Sequence, residues 1–132
     1  MAALHFEFVS PESVLFSGDV DQVDLPGSEG DMGILAGHAP LVTTLRPGIV
    51  TIFRGGQREP VVVIGGFAEM SPAGLTVLAD RAVARGDFDM GVLAAEIKDA
   101  EEDIADSEDS AERDKLTRHL DQLKALQSAL AP

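Results

Sequence analysis

The strongest constraint on this chain lies between residues 30 and 48, where four glycines and two prolines surround short apolar runs. Glycine permits turns with positive φ, and proline interrupts both helices and central strands. A long helix cannot pass through such a segment. The sequence therefore predicts short strands joined by tight turns in this part of the chain.

From Leu4 to Leu78 the apolar residues follow the two-residue period of β-strands. Near the start, Leu4, Phe6 and Phe8 alternate with polar residues. Short apolar runs recur farther on, and each is bounded by Gly, Pro, Ser or Asp. This spacing is typical of a β-sandwich or barrel. The further runs are residues 20–25, 41–45, 49–53, 61–64 and 75–78.

After Gly86 the apolar period becomes helical, which predicts two amphipathic helices. Asp87 is the predicted N-cap of the first helix, and Asp109, with Glu112 three residues later, begins the second. The short polar link at 106–110 favours an antiparallel helical hairpin. We therefore expect a β-sandwich domain at residues 1–86 and a helical hairpin at 87–132. The helical positions are Leu93, Ile97, Ala100 and Ile104, then Leu116, Leu120, Leu123, Leu126 and Leu130.

The composition excludes several kinds of function. The 132 residues include 23 acidic and 10 basic side chains, for a net charge of −13. This sign opposes binding to phosphate backbones, so nucleic acid is not an expected partner. The longest apolar run is far shorter than the roughly 20 residues of a spanning helix, and no leader is recognisable, so we expect no membrane insertion and a cytoplasmic location.

No catalytic or metal-binding constellation stands out in the sequence. The chain has no cysteine, and His5, His38 and His119 lack the spacing of metal ligands. Residues 27–33 are rich in glycine but lack the Lys-Ser/Thr of a phosphate-binding loop, so they are expected to form a strand-connecting loop. We therefore predict a non-enzymatic chain without a cofactor or metal.

Three segments together resemble the epsilon subunit of the bacterial F-type, proton-translocating ATP synthase, in that family's order and spacing. The resemblance implies an N-terminal β-sandwich of about ten strands followed by a C-terminal antiparallel two-helix hairpin. It also implies a non-catalytic central-stalk subunit that couples the c-ring and the gamma subunit to ATP synthesis, peripherally at the cytoplasmic face of the inner membrane. The segments are 30–48, Gly65-Gly66-Phe67-Ala68-Glu69 and Leu75-Thr76-Val77-Leu78-Ala79-Asp80.

The resemblance further implies two partner-facing surfaces. The loop facing the c-ring would be Glu29, Gly30 and Asp31, and its acidity suits the basic residues on the polar loops of the ring. The gamma-facing edge would include three residues at positions that the family uses, namely Ser10, His38 and Val42.

In proteins of this kind the hairpin can extend towards the alpha and beta catalytic subunits and block ATP hydrolysis. Relatives that sense ATP carry Ile/Leu-Asp-x-x-Arg-Ala at the start of the first helix. Here the matching segment, residues 88–93, keeps Asp89 but has Val92 in place of the arginine. We therefore expect little or no ATP binding. The charges of the last helix nearly balance, so we expect weak inhibition of hydrolysis.

Two other classes of function remain open. A free-standing sandwich-plus-hairpin adaptor of another complex would use the same surfaces, and stable association with a gamma subunit separates it from the rotor subunit. A small enzyme would need a buried polar site. Its candidate carboxylates, Asp19, Asp21 and Asp24, alternate with apolar residues as on a solvated strand face.

Overall fold

The computed structural model describes residues 3–131, which form two compact units that divide between Phe88 and Asp89. The first unit contains ten strands: β1 (Leu4–Val9), β2 (Val14–Val20), β3 (Gln22–Gly27), β4 (Gly30–Leu35), β5 (Leu41–Leu45), β6 (Gly48–Arg54), β7 (Gln57–Val63), β8 (Gly66–Ser71), β9 (Gly74–Ala79) and β10 (Ala82–Ala84). The second unit contains two helices: α1 (Met90–Asp106) and α2 (Ser110–Leu130).

The ten strands form one curled sheet. Their order is β10-β7-β6-β3-β5-β8-β9-β1-β2, and β4 pairs with β3 beside this path. Strands β1 and β9 run parallel, whereas the other pairs are antiparallel. The curl brings β2 close to β6, where the Arg54 guanidinium lies 5.1 Å from the centroid of the Phe16 ring. The predicted fold class, a β-sandwich followed by two helices, is confirmed.

The core lies inside the curled sheet and follows the alternation seen in the sequence. Leu4, Phe6 and Phe8 are buried, whereas His5 faces solvent. The Phe6 ring lies 5.6 Å from the Phe8 ring and 5.8 Å from the Phe16 ring, measured between centroids. Phe6 and Phe8 are fully buried, and each stabilises the fold by roughly 1.5–3 kcal/mol through removal of apolar surface from water. Strands β1 to β9 all contribute buried side chains to this cluster.

The sequence predicted a connecting loop over residues 27–33, but the loop in the structure is much shorter. Gly27 ends β3 and Gly30 begins β4, so the turn consists of Ser28 and Glu29 alone. The later glycine of this stretch, Gly33, pairs with Asp24 on β3. A Cβ atom at Gly33 would lie 3.2 Å from the Asp24 carboxylate. Glycine at this position therefore makes room for a neighbouring side chain within a strand rather than ending the strand.

Gly66 marks a close backbone contact between β8 and β9. It has a φ of +135° and pairs with Ala79. A Cβ atom here would lie 2.2 Å from the carbonyl oxygen of Leu78 and 2.8 Å from the Ala79 Cα. Only glycine fits both the conformation and the space, which explains its place in the Gly65-Gly66-Phe67 segment.

Each helix begins at an aspartate N-cap. The Asp89 carboxylate accepts a hydrogen bond from the Gly91 amide at 2.7 Å, and the Asp109 carboxylate accepts one from Ala111 at 3.0 Å. Asp109 was correctly predicted as the N-cap of the second helix. Asp87 was not predicted correctly, because it lies in a 3-10 turn (Arg85–Asp87), and two extended residues, Phe88 and the N-cap Asp89, separate this turn from α1.

Most of the apolar positions predicted from the helical period are buried, whereas Ile104, Leu116 and Leu130 are half-buried. The helices are joined by residues 107–109 and pack against each other, and the Lys124 ammonium lies 3.9 Å from the Glu101 carboxylate. Neither helix in the described part of the chain is long and apolar enough to span a membrane. The buried positions are Leu93, Ile97, Ala100, Leu120, Leu123 and Leu126.

A polar cluster lies on the outer face of β1 and β2. The His5 ring contacts Glu7 at 2.8 Å through Nε2 and Asp19 at 3.3 Å through Nδ1, and the Ser17 hydroxyl donates to Glu7 at 2.7 Å. Hydrogen bonds to Glu7 and then to Asp19 raise the pKa of His5 above its ordinary value of 6.5. Hydrogen bonds from Ser17 and then from His5 lower the pKa of Glu7 below 4.5.

Replacing Gly66 with alanine is expected to destabilise the chain by at least about 3 kcal/mol, because the new methyl group clashes with backbone and the φ is unfavourable. Gly55→Ala is the matched control, since Gly55 has a φ of +58° but nothing within 4 Å of an added Cβ. Conformational strain alone predicts a cost of roughly 1–2 kcal/mol there. Urea unfolding followed by circular dichroism measures the free energy of unfolding of both variants. Equal losses of stability in the two variants would contradict the steric argument.

The imidazole of His5 is expected to titrate above pH 6.5 in an NMR titration of the full chain. Because the folded-state pKa is raised, the stabilisation from this contact is complete below pH 6.5 and is lost as the pH rises through the folded value. The folded-state pKa of Glu7 is lowered, so the stabilisation that the Glu7 carboxylate gives to the fold is complete above pH 4.5. This stabilisation is lost as the pH falls through the folded-state pKa. Glu7→Gln should lower the His5 pKa more than Asp19→Asn does, and the reverse order would refute the proposed cause.

Candidate protein-docking surface

A row of apolar side chains crosses the outer face of the sheet. Val14 on β2 pairs with Val9 on β1, Val9 pairs with Leu78 on β9, and Leu78 pairs with Phe67 on β8. Val14 is 65% exposed and Phe67 is 42% exposed. We call these four residues the outer apolar row. Contiguous exposed apolar side chains of this kind are typical of protein-binding surfaces.

Polar side chains line the next row of the same face. Glu69 on β8 pairs with Thr76 on β9, which pairs with Glu7 on β1, and Glu7 pairs with Ser17 on β2. The face therefore has a hydrophobic stripe beside a polar rim. This arrangement suits a partner that buries apolar surface at its centre and keeps polar contacts at its margin.

Val42 extends the exposed apolar surface onto β5. Its side chain is 69% exposed and pairs with Glu69, while Thr44, two residues later, pairs with Phe67. Diagonal neighbours across two strands lie within reach of an aromatic side chain. Val42 is therefore diagonal to Phe67, at one end of the outer apolar row.

The other two residues of the predicted gamma-facing edge lie at opposite ends of these strands. Ser10 follows Val9 and forms the β1–β2 turn, where its amide donates to the Ser13 carbonyl at 2.9 Å. His38 precedes β5, and its Nδ1 lies 2.8 Å from the Ala39 carbonyl oxygen, which can only accept a hydrogen bond. The three residues do not form one cluster. Ser10 and Val42 flank the outer apolar row, since Ser10 follows Val9 in sequence and Val42 is diagonal to Phe67, whereas His38 lies towards the opposite ends of the strands.

The predicted c-ring-facing residues form the tip of the β3–β4 hairpin. Glu29 is in the turn, whereas Gly30 and Asp31 are the first residues of β4. The Arg46 guanidinium bonds to the Asp31 carboxylate and also donates to the Gly27 carbonyl at 2.5 Å. Because the Asp31 side chain stays largely exposed, this ion pair contributes only about 0–1 kcal/mol to stability. Its main effect is to balance the charge of Asp31.

A groove of about 440 Å³ separates this hairpin tip from β5. It brings together Glu29 and Val42, which the sequence assigned to different partner surfaces. The turn is held beside β5 by a hydrogen bond from the Ser28 amide to the Thr44 carbonyl at 2.9 Å. The groove is lined by Ser28, Glu29, Met32, Leu41, Val42, Thr43 and Thr44.

The last predicted site residue, Asp89, has a structural role here. Its carboxylate caps α1, and its Oδ1 atom accepts a hydrogen bond from the Gly91 backbone amide. Within residues 3–131 no group of three or more His, Asp or Glu side chains is arranged to hold a metal ion. The surfaces described above are suited to binding protein rather than to bond chemistry.

Sequence reasoning missed the outer apolar row, although a signal for it existed. Leu78 lies between two buried residues on β9, and Phe67 precedes the buried Ala68 on β8, so these strands carry apolar residues on both faces. A strand at the surface normally shows alternation of apolar and polar residues. Loss of alternation in two adjacent strands of a curled sheet indicates an apolar outer surface.

The sequence of residues 3–85 matches the family described as ATP synthase, Delta/Epsilon chain, beta-sandwich domain. The epsilon chain of the ATP synthase of Afipia carboxidovorans is 50% identical over 127 residues, which cover 96% of this chain and 93% of the relative. Epsilon chain 1 of Nitrobacter hamburgensis is 52% identical over 130 residues, covering 98% and 96%.

Solved structures give the same result. A chain in the Euglena gracilis mitochondrial ATP synthase, solved as OSCP/F1/c-ring, superposes with a TM-score of 0.78 at 28% identity, covering 99% of this chain and 83% of that one. A chain of the Tetrahymena thermophila mitochondrial ATP synthase central stalk and c-ring gives a TM-score of 0.69 at 10% identity, which shows the fold alone. On this evidence, the chain belongs to the ATP synthase delta/epsilon chain family.

Proposed function

We propose that this chain is the epsilon subunit of a proton-translocating F-type ATP synthase, a non-catalytic part of its central stalk. The observation that carries this proposal is the 50% identity to a bacterial ATP synthase epsilon chain over 96% of this chain. The subunit itself makes and breaks no bonds. It attaches peripherally, with its complex, at the cytoplasmic face of the inner membrane.

The gamma subunit binds to the outer face of strands β5, β8, β9, β1 and β2. The outer apolar row supplies the buried centre of that interface, Ser10 and Val42 flank the row, and His38 lies towards the opposite ends of the strands. In protein interfaces a few residues near the centre carry most of the binding energy, and aromatic side chains are prominent among them. Phe67 is the aromatic residue of the row and so the main anchor for gamma.

The c-ring binds at the tip of the β3–β4 hairpin. Glu29 and Asp31 carry the charge there, and acidic residues attract the basic loops that the resemblance implies for the ring. With one surface bound to gamma and another to the ring, the subunit couples their rotation. The tightly packed sheet between the two surfaces provides the stiffness that coupling requires.

The helical unit contributes weakly to regulation. On α2, Arg113, Lys115, Arg118 and Lys124 are nearly balanced by Glu112, Asp114 and Asp121, so attraction to an acidic segment of the beta subunit is modest. ATP binds the isolated chain little or not at all, because Val92 replaces the motif's arginine and Asp89 caps α1.

Phe67→Ala is expected to weaken binding to the cognate gamma subunit, presented in its complex with the catalytic hexamer, by about tenfold or more. The loss follows from removing the aromatic anchor of the outer apolar row. Equilibrium binding of the purified chain to the epsilon-free complex measures the effect.

The matched control is Phe53→Ala. Phe53 is half-buried on β6, outside the five strands of the proposed interface, and its ring lies 5.3 Å from the Arg58 guanidinium. This variant should change the affinity by less than about threefold. Equal losses from both variants would count against the outer face as the gamma-binding surface.

Deleting the residues after Phe88 removes the helical unit and is expected to change the ATPase rate of the assembled complex by less than about twofold, because α2 is nearly neutral. The assay requires that the shortened chain stays in the purified complex, which gel densitometry verifies. Substituting Glu112, Asp114 and Asp121 with lysine in the full chain should instead increase inhibition. Severalfold activation on truncation would show that this hairpin inhibits strongly.

A further inference from the structure

The two carboxylates at the β3–β4 tip have different electrostatic surroundings. Asp31 forms an ion pair with Arg46, whose backbone amide also donates to the Pro26 carbonyl at 3.0 Å. The same guanidinium donates to Gly27. Arg46 thus connects the β5–β6 turn to the strand ends beside the hairpin tip and compensates the charge of Asp31.

Glu29 has no such compensation. Its side chain is exposed, and within residues 3–131 no ion pair or side-chain hydrogen bond involves its carboxylate. The net charge of the tip therefore comes mainly from this residue. A cation that approaches the hairpin meets one unmatched carboxylate rather than two.

The groove beside Glu29 has a mixed lining. Met32, Leu41 and Val42 supply apolar surface, and Val42 is strongly exposed. Ser28, Thr43 and Thr44 supply hydroxyl groups, of which Thr44 already donates to Ser28 at 2.8 Å. An apolar floor with a carboxylate at its rim matches a long basic side chain, which has an aliphatic stem and a cationic end.

We propose that Glu29, and not Asp31, receives an arginine or lysine side chain from a polar loop of the c-ring, and that the aliphatic stem of this side chain lies in the groove against Val42 and Met32. The inference rests on the proposed function for the source of the basic loop. It adds to that function which carboxylate binds and where the rest of the side chain lies.

The charges at the groove exclude other occupants. A phosphate or acidic peptide would be repelled by Glu29, and no Arg or Lys lines the groove. A second copy of this chain would bring a net charge of −13 against the same carboxylate. A basic loop is the one class of partner that both the charge and the lining favour.

The test compares Glu29→Gln with Asp31→Asn, two isosteric changes that each remove one negative charge from the tip. Affinity of the full chain is measured for the purified cognate gamma–c-ring subcomplex and, separately, for gamma with the catalytic hexamer. At low salt, Glu29→Gln should weaken binding to the subcomplex about fivefold, whereas Asp31→Asn should change it by less than about twofold. In 1 M salt the difference should largely vanish, because the Debye length is then about 3 Å.

The two binding arms separate failure of the inference from failure of the proposed function. If the unsubstituted chain binds neither complex, the proposed function is wrong. Suppose instead that the unsubstituted chain binds both complexes. The inference is then wrong if Glu29→Gln binds the subcomplex as tightly as the unsubstituted chain, or if Asp31→Asn loses as much affinity for the subcomplex as Glu29→Gln does. Glu29→Gln should leave affinity for gamma with the hexamer unchanged.

Methionine methyl NMR tests the second half of the inference. On addition of the gamma–c-ring subcomplex, the methyl signal of Met32 should shift, because a side chain enters the groove that Met32 lines. Met70 is the internal control, since it lies in the core at 5% exposure. An unchanged Met32 signal at saturation, with binding established, would rule out occupation of the groove.

Discussion

The architecture depends on close backbone contact along β9, at the centre of the outer face. At Gly66 on β8 there is room for a hydrogen atom but not for a methyl group beside the Leu78 carbonyl. At Gly74, where β9 begins, a Cβ atom would lie 2.5 Å from the carbonyl oxygen of His5. These two contacts set the approach of β8 and β1 to β9. Phe67, Leu78 and Val9 lie on those three strands, so the two contacts help to position three of the four residues of the outer apolar row.

The sequence predicted the fold class well because its signals are local. Alternation in β1 and the helical period after Gly86 each follow from the burial of one face of an element. The strands that produced no clear apolar run are those rich in small or polar residues, such as β2 with Ser17 and Gly18 and β4 with Gly30 and Gly33. Their pairing is decided by neighbours distant in sequence, so local periodicity could not reveal it.

The candidate docking surface could be predicted only in part, for a related reason. Residue positions at the hairpin tip and near β5 followed from the family resemblance, but their relative placement did not. The groove between Glu29 and Val42 depends on the pairing of β3 with β5 through Gly27 and Leu45. The compensation of Asp31 depends on an arginine 15 residues away in sequence. Capping at Asp89 rather than Asp87 was missed because Asp87 ends a 3-10 turn and the extended residue Phe88 separates it from the N-cap Asp89.

The parallel pairing of β1 with β9 also affects how the chain folds during synthesis. Phe6 pairs with Leu75 and Phe8 with Val77, so β1 leaves the ribosome well before β9, the strand with which it pairs. Contacts between such distant segments form slowly, because closing a long loop costs entropy before any contact is gained. Until β9 emerges, β1 carries two large aromatic side chains without their final neighbours. The nascent chain thus presents an apolar segment to which a ribosome-associated chaperone can bind.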